Sequence, residues 1–330
     1  MSLSMILSFG FYKKSKFLCT LFISTTIFLS ATCQTSIKQR INKITRSVPG
    51  TFGIAAIHIE KNKRFDHNSK MRFPMASTYK LPIAAYCMSL IEKKAINPKS
   101  KKLFTNYDLR RCSKIKNKQS FTIEELLKMN LEKSDNAASD MILKIVGGGK
   151  AVTNWLQKQG IKDISIDRQV IKMTADFSGI TLIDEHHCTI NQYVNLMRKV
   201  PRKNRLAATQ KFYSDTQDTT TPSAMVNLLS RMYKGKLVGT TSKNFLFKSM
   251  AKCDWSFRRM KRFLPKGAIV YSKCGTMDGI VSDIGIIKLP QNKGHVALAV
   301  YTNKDTGNML KREEAIGKVS KELFNYFKTL

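Results

Sequence analysis

A serine and a lysine stand three residues apart in the segment PMASTYKLPIAAY, residues 74–86, at the start of an apolar run that predicts a buried helix. Ser77 and Lys80 would share one face of this helix, where the lysine amine can reach the serine oxygen. A buried ammonium needs a polar partner. A serine with its own base near a helix N-terminus is an activated nucleophile, because free N–H groups there stabilise negative charge. By itself the spacing also fits a surface pair.

Two further motifs follow in the same chain. KSDNAAS holds Ser134, Asp135 and Asn136 at a predicted helix start, and YSKCGT places a lysine, a glycine and a threonine at the end of a predicted strand. Ser-x-x-Lys, Ser-Asp-Asn and Lys-x-Gly-Thr, in this order, are the motifs of class A β-lactamases and penicillin-binding proteins. The chain therefore resembles the class A β-lactamase family. The segments RFPMASTYKLP, DTTTPSAM, GIVSDIGIIKLP and HVALAVYTN extend the resemblance from about residue 50 onward.

The resemblance implies the catalytic roles. Ser77 would be acylated, and Lys80 would take part in removing its proton. Ser134 would pass a proton to the leaving nitrogen of the substrate. The backbone N–H groups of Ser77 and Thr276 would form an oxyanion hole. These roles describe an acyl transfer that proceeds through an ester on Ser77.

The resemblance also implies the substrate-binding positions, which are Asn136, Lys273, Cys274, Gly275 and Thr276. Asn136 would bind the side-chain amide of the substrate, and Lys273 would supply positive charge near its carboxylate. Cys274 departs from the family pattern, which usually has Thr or Ser there. A thiol is a much weaker hydrogen-bond donor than the hydroxyl that helps to bind the carboxylate. A thiol beside a cationic cleft is also a candidate for reactivity.

A second departure lies in the segment that corresponds to the omega loop. Arg168 of SIDRQVIKM and Asp218 of DTTTP are the expected pair that anchors this loop. The family's deacylation base is a glutamate two residues after the arginine, but here that residue is Val170, which cannot accept a proton. The segment 168–218 is also much longer than an ordinary omega loop. Its candidate substitute bases are Asp176, Asp184, Glu185, His186 and His187, although an exposed loop or an extra small helix is the favoured interpretation.

The elements that must position these residues predict an α+β fold. TFGIAAIHIE and RFDHNSKMRF form a strand pair, helical patterns dominate from Ser77 to about residue 250, and three β-rich runs follow before a final helix. The layout predicts an antiparallel five-stranded sheet flanked by helices, with a separate helical lobe. Residues 34–71 and 251–330 would form the sheet domain, and residues 72–250 the helical domain.

The N-terminus predicts export. Lys13, Lys14 and Lys16 precede an apolar stretch that ends in small residues near Cys33, which is typical of a signal peptide over residues 1–33. A lipidated Cys33 is a weaker alternative. No later segment is long and apolar enough to predict a membrane span. We therefore expect a periplasmic or secreted protein, and most of its cysteines would remain in the mature chain, where the compartment allows a disulfide but the sequence assigns none.

The net charge of +34 invites a nucleic-acid interpretation. The lysines are scattered through every segment, however, without the basic stripe and interleaved aromatics of a strand-binding groove. We expect no nucleic-acid partner, and a lysine-rich surface that meets anionic polymers of the cell envelope. The adjacent histidines of EHHC lack further ligands, so neither a metal site nor another cofactor is predicted.

The sequence therefore predicts an exported, monomeric serine β-lactamase that opens the β-lactam ring through a Ser77 acyl-enzyme. Because Val170 removes the usual base, deacylation is expected to be slow. The alternative is a penicillin-binding-protein-like acyl acceptor or D,D-peptidase, with a peptidoglycan stem peptide as its substrate. A second alternative is a homologue that binds envelope polymers without catalysis, which the intact motifs disfavour.

Overall fold

The computed structural model describes residues 36–304 and 307–330. Five strands build its main sheet: β1 Thr51–His58, β2 Lys63–His67, β7 Val270–Met277, β8 Ile280–Lys288 and β9 His295–Asn303. Their order across the sheet is β2-β1-β9-β8-β7, and every neighbouring pair is antiparallel. This confirms the predicted α+β class and the five-stranded antiparallel sheet. Short strands β3 Phe73–Pro74 and β6 Thr219–Thr220 pair with each other, as do β4 Lys101–Leu103 and β5 Ser120–Thr122.

Helices make up much of the rest of the described residues. They are α1 over residues 36–46, α2 Lys80–Glu92, α3 Ile123–Glu132, α4 Asn136–Ile145, α5 Gly148–Lys158, α6 Val170–Ser178, α7 Ile190–Lys199, α8 Arg202–Tyr213, α9 Pro222–Tyr233, α10 Thr240–Ala251 and α11 Met309–Lys328. Two 3-10 turns, Ala76–Tyr79 and Ser256–Arg258, stand before α2 and after α10.

Local capping chemistry explains where several helices begin. Thr122 and Glu125 form a capping box at α3, since the threonine side chain accepts from the glutamate N–H and the glutamate side chain accepts from the threonine N–H. Asp135 accepts from the Ala138 N–H and caps α4. These caps fix the loops that lead into α3 and α4, and the second of these loops carries Ser134.

The sheet and the helices share a hydrophobic core. Helix α9 packs against β1 and β9, and α11 packs against β8 and β9. Helix α2 contacts α3, α4, α5 and α10, and its buried side chains belong to the same cluster as those of the central strands. Because α2 is surrounded in this way, the residues at its start are held by both the sheet and the helices.

The long segment between Arg168 and Asp218 is helical. It contains the three helices α6, α7 and α8. The sequence favours an exposed loop or one small helix here, so the observed segment has more helix than its residue pattern predicts. Apolar side chains from the first two helices and their connection form a small core of their own, made of Ile171, Ala175, Ile180, Cys188 and Tyr193. A second capping box, between Thr189 and Gln192, begins α7. The segment is therefore an ordered layer.

The predicted signal peptide, with Cys19 and Cys33, lies outside the described residues. Among the residues that are described, no helix combines the length and the apolar character needed to cross a membrane. The described chain divides after Ser47, and Val48–Leu330 is one compact unit. The assignment of residues 34–71 and 251–330 to one domain and residues 72–250 to another stays a prediction.

Candidate active site

Ser77 lies in the 3-10 turn that leads into α2, and its side chain is half-buried. The turn is fixed from both sides, because the Met75 N–H donates to the Asp218 carbonyl and Thr78 Oγ1 donates to the Met75 carbonyl. Ala76 has a φ of 45°, in the left-handed region that non-glycine residues rarely adopt. Such strain persists only where the surroundings determine the backbone, and it is frequent at functional sites. The fold thus holds Ser77 in one position.

Lys80 is fully buried at the first position of α2. Its Nζ donates to the Ser134 carbonyl at 2.5 Å, to Asn136 Oδ1 at 2.8 Å and to Ser134 Oγ at 3.3 Å. Burial lowers the pKa of Lys80 well below its ordinary value, and the positive charge of Lys273 lowers it further. Within the described chain, no hydrogen bond joins Lys80 Nζ to Ser77 Oγ. The lysine is satisfied by the Ser-Asp-Asn motif, and its depressed pKa favours the neutral amine that a general base requires.

The Ser-Asp-Asn motif occupies the loop between α3 and α4. Ser134 has a φ of 56°, and Asp135 holds this backbone in place by capping α4 with one carboxylate oxygen. The other oxygen accepts from Ser113 Oγ and from the Lys114 N–H. Asn136 Nδ2 donates to the Arg111 carbonyl at 2.8 Å. The motif is therefore tied to the segment around residues 111–114, and Asn136 lines one cavity together with Arg111 and Cys112.

The third motif brings a second buried lysine to the same serine. Lys273 Nζ donates to Ser134 Oγ at 2.8 Å and to the Cys274 carbonyl at 2.9 Å. Burial lowers the pKa of Lys273 also. A Cβ on Gly275 would lie 2.6 Å from the Met75 carbonyl oxygen, so only glycine allows β7 to come this close to the turn of Ser77. Ser134 Oγ thus lies between two lysines that come from different elements.

Arg168 and Asp218 join the two ends of the long helical segment. Arg168 Nε donates to Asp218 Oδ2 at 2.6 Å, while Asp218 Oδ1 accepts from the N–H groups of Asp167 and Arg168. The guanidinium nitrogen Nη1 pairs with Asp176 and Asp215 at 3.0 and 2.9 Å, and Nη2 donates to the Gln217 carbonyl. One nearly buried arginine therefore holds three carboxylates and closes the segment.

The comparisons with known proteins agree with this geometry. The family model described as the beta-lactamase enzyme family matches residues 36–327. The chain belongs to this family. It is 27% identical to the β-lactamase VEB-1 of Pseudomonas aeruginosa over 317 residues, 92% of this chain and 94% of that protein. It is also 27% identical to a β-lactamase of Proteus vulgaris over 298 residues, 88% of this chain and 97% of that protein.

Solved structures of β-lactamases have the same fold. The chain is similar to the TLA-3 extended-spectrum β-lactamase, with a TM-score of 0.73, 28% identity, and coverage of 89% of this chain and 99% of that one. A β-lactamase from Xanthomonas campestris has a TM-score of 0.74 at 20% identity, covering 89% of this chain and 98% of that one, which supports the fold alone. The matches span nearly the whole length of these proteins, so the resemblance of the three motifs extends to the complete architecture.

Val170 is the first residue of α6, where this family member lacks the expected glutamate. Its N–H donates to Asp140 Oδ1 at 2.6 Å, and Asp140 also accepts from Arg110 Nε at 2.7 Å. The Val170 side chain lines a cavity of about 450 Å³ together with Asn136 and Cys112. The cavity wall is largely apolar on this side, where Val170 offers no group that can accept a proton, and Asp278 also lines the cavity.

None of the five candidate substitute bases lines this cavity. Asp176 is paired with Arg168 and Lys172. Asp184 accepts from the exposed His187, which also contacts the ring of Tyr107. Glu185 Oε1 and His186 Nε2 lie 3.9 Å apart. Among the described residues, no group of three His, Cys, Asp or Glu side chains is arranged to hold a metal ion.

The structure adds one residue that sequence reasoning did not single out. Arg259 is almost fully buried and donates to Thr276 Oγ1 at 2.6 Å, to the Gly275 carbonyl and to the Ser282 carbonyl. Its charge is balanced by the buried Glu313, 3.1 Å away. The basic run RRMKRF gives no signal that separates this arginine from its exposed neighbours. Arg259 therefore supports the Thr276 end of the cleft from behind.

Proposed function

We propose that the protein is a serine β-lactamase in which Ser77 forms an acyl-enzyme with the β-lactam and releases it slowly. The observation that carries this proposal is the position of Ser134 Oγ between Lys80 and Lys273. This arrangement offers a path for the proton that must leave the attacking serine and reach the ring nitrogen. Family membership supports the same chemistry.

The acylation half-reaction uses three side chains. The neutral amine of Lys80 takes the proton of Ser77 as its Oγ attacks the β-lactam carbonyl. Ser134 gives its own proton to the ring nitrogen as the amide bond breaks, and recovers one from the ammonium of Lys80. The N–H groups of Ser77 and Thr276 stabilise the oxyanion of the tetrahedral intermediate that forms before the amide bond breaks. Every proton is accounted for without a cofactor.

Substrate binding uses the surrounding polar groups. Asn136 lines the cavity and holds the side-chain amide of the substrate. Its Oδ1 already accepts from Lys80, so its Nδ2 exchanges the hydrogen bond to the Arg111 carbonyl for one to the substrate. Lys273 and Thr276, with Arg259 behind them, attract the substrate carboxylate. Cys274 contributes little to this subsite through its side chain, which is 4% exposed. We further propose, from the N-terminal sequence, that the chain is exported.

A second candidate is favoured by Val170. A penicillin-binding-protein-like acyl acceptor needs the acylation machinery but no deacylation base, and it would keep the penicilloyl ester. The two candidates share Ser77, Lys80 and Ser134 and differ only in the fate of that ester.

The test is an intact-mass time course of the purified chain with a penicillin, in which free product is quantified in parallel. Ser77→Ala should form no adduct, whereas Ser89→Ala, a matched serine change on α2 whose hydroxyl donates to the Tyr86 carbonyl, should be acylated normally. Many product molecules per chain support the β-lactamase. A lasting Ser77-dependent adduct with stoichiometric product supports the acyl acceptor. An adduct that persists in Ser77→Ala refutes the nucleophile assignment.

A further inference from the structure

Two buried thiols meet behind the third motif. Cys253 follows α10, Cys274 lies on β7, and their sulfur atoms are 3.8 Å apart. Their side chains are 7% and 4% exposed. A disulfide has an S–S length of about 2.05 Å, so the two sulfur atoms need to approach by less than about 2 Å to form one. Both thiols are free in the structure.

The charges around the pair make the two sulfurs unequal. The hydrogen bond between the two thiols lowers the pKa of Cys253 to about 5, against the effect of burial, and the ammonium of Lys273 lowers it further. Burial raises the pKa of Cys274 well above its ordinary value. Asp283 stands directly across the β7–β8 ladder from Cys274, and burial raises its pKa to about 7, with Cys253 as a further cause. These opposite shifts favour the thiolate on Cys253 and keep the proton on Cys274.

We propose that Cys253 and Cys274 are a modification site at which a peroxide forms an intramolecular disulfide beside Lys273. The Cys253 thiolate attacks the peroxide O–O bond and becomes a sulfenic acid, while the leaving oxygen takes a proton and departs as water or an alcohol. Cys274 then loses its proton and attacks the sulfenic sulfur, and the hydroxyl group leaves as water. Two thiols are oxidised and one peroxide is reduced. A small neutral oxidant suits two thiols that are nearly closed to solvent.

The disulfide changes the charge at one end of the cleft. In the reduced pair, the Cys253 thiolate partly offsets the positive charge of Lys273, whereas the disulfide is neutral. This consequence rests on the proposed function, in which Lys273 attracts the substrate carboxylate. Oxidation should therefore speed acylation by a penicillin that carries a free carboxylate, by roughly two- to fivefold, the scale of one partly screened ion pair. The methyl ester of the same penicillin should gain nothing.

The first measurement detects the bond without any substrate. The full chain is reduced, desalted, treated with hydrogen peroxide or buffer, then denatured and alkylated with N-ethylmaleimide before peptide mass mapping. We expect the peptides of Cys253 and Cys274 to become linked, with the loss of two hydrogen atoms and two alkylation sites. Cys87, a buried thiol on α2, is the internal control and should stay alkylatable. Cys274→Ser should prevent the link.

Two results would overturn the site. One is that both thiols stay alkylatable at peroxide doses that oxidise the exposed Cys112, and the other is that Cys253 links to a different cysteine. The second measurement compares Ser77 acylation rates of the reduced and oxidised chain with the penicillin and its ester. Equal rates with the free acid overturn the charge effect. A disulfide in a chain that is never acylated leaves the modification site standing and refutes the proposed function alone.

Discussion

Replacement of Val170 by glutamate should restore rapid turnover. Val170 begins α6 and lines the cavity beside Asn136, which at about 450 Å³ has room for a substrate side chain and for water, whose share of liquid volume is about 30 Å³. A carboxylate at this point can accept the proton of a water that attacks the Ser77 ester. Correctly placed general bases contribute about 10²- to 10⁴-fold. We expect deacylation of Val170→Glu to rise by a factor in that range, while acylation stays nearly unchanged.

The same substitution has a cost in stability that can be separated from the chemistry. The Val170 side chain is 8% exposed, and losing its burial costs about 1.5–3 kcal/mol at most. The new carboxylate also lies near Asp140, which accepts the first N–H groups of α6, although Arg110 offsets part of that repulsion. The glutamine of Val170→Gln has the same size as the glutamate of Val170→Glu and replaces the same buried valine, but it cannot take a proton. It is therefore the matched control.

The assay is single-turnover mass spectrometry. It follows the decay of the acyl-enzyme in the unsubstituted chain, in Val170→Glu and in Val170→Gln. Urea unfolding of all three chains shows whether they are equally folded under the assay conditions. The reasoning is refuted if Glu and Gln variants that are both folded lose the acyl group at the same rate. It is also refuted if the unsubstituted chain already turns over as fast as the Glu variant.

Three further predictions concern the buried charges. Acylation of Ser77 should become faster as pH rises through the pKa of Lys80, which burial holds well below its usual range. Acylation rates measured by mass spectrometry across pH should therefore rise once, over the range in which Lys80 loses its proton. Arg259→Ala should lower the free energy of unfolding by about 3–5 kcal/mol, because Glu313 is left as a buried unpaired charge. The double variant that also carries Glu313→Gln should recover part of this loss, and urea unfolding measures both. Asp283 has a pKa of about 7 in the folded protein against 3.8 in the unfolded chain, so the native state binds the extra proton between these values. Stability should therefore fall by up to roughly 4 kcal/mol as pH rises through that window, and Asp283→Asn should lack this fall.

The sheet and most helices were predictable because their signals are local. Alternating and continuous apolar runs predicted β1, β8 and β9. The apolar run from Ser77 predicted a helix, which the structure forms as a 3-10 turn followed by α2 from Lys80. The helices of the long segment were harder, because α8 has mostly exposed polar residues and gives only a weak apolar pattern. The two ends of the long segment are held together by Arg168, which pairs with Asp176 and Asp215. These two carboxylates are far apart in sequence, so no local pattern predicts that they share one arginine.

Sequence alone determined the identity of the three motifs, the absence of a glutamate at Val170 and the thiol at Cys274, since each depends on residue type and short spacing. Only the tertiary structure decided which atoms meet. It placed Ser134 between two buried lysines, set Arg259 behind Thr276 and brought Cys253 to Cys274. These contacts join elements that are distant in the chain, and their pKa shifts arise from burial and from neighbouring charges. Both causes exist only once the sheet and the helices have packed around the same cleft.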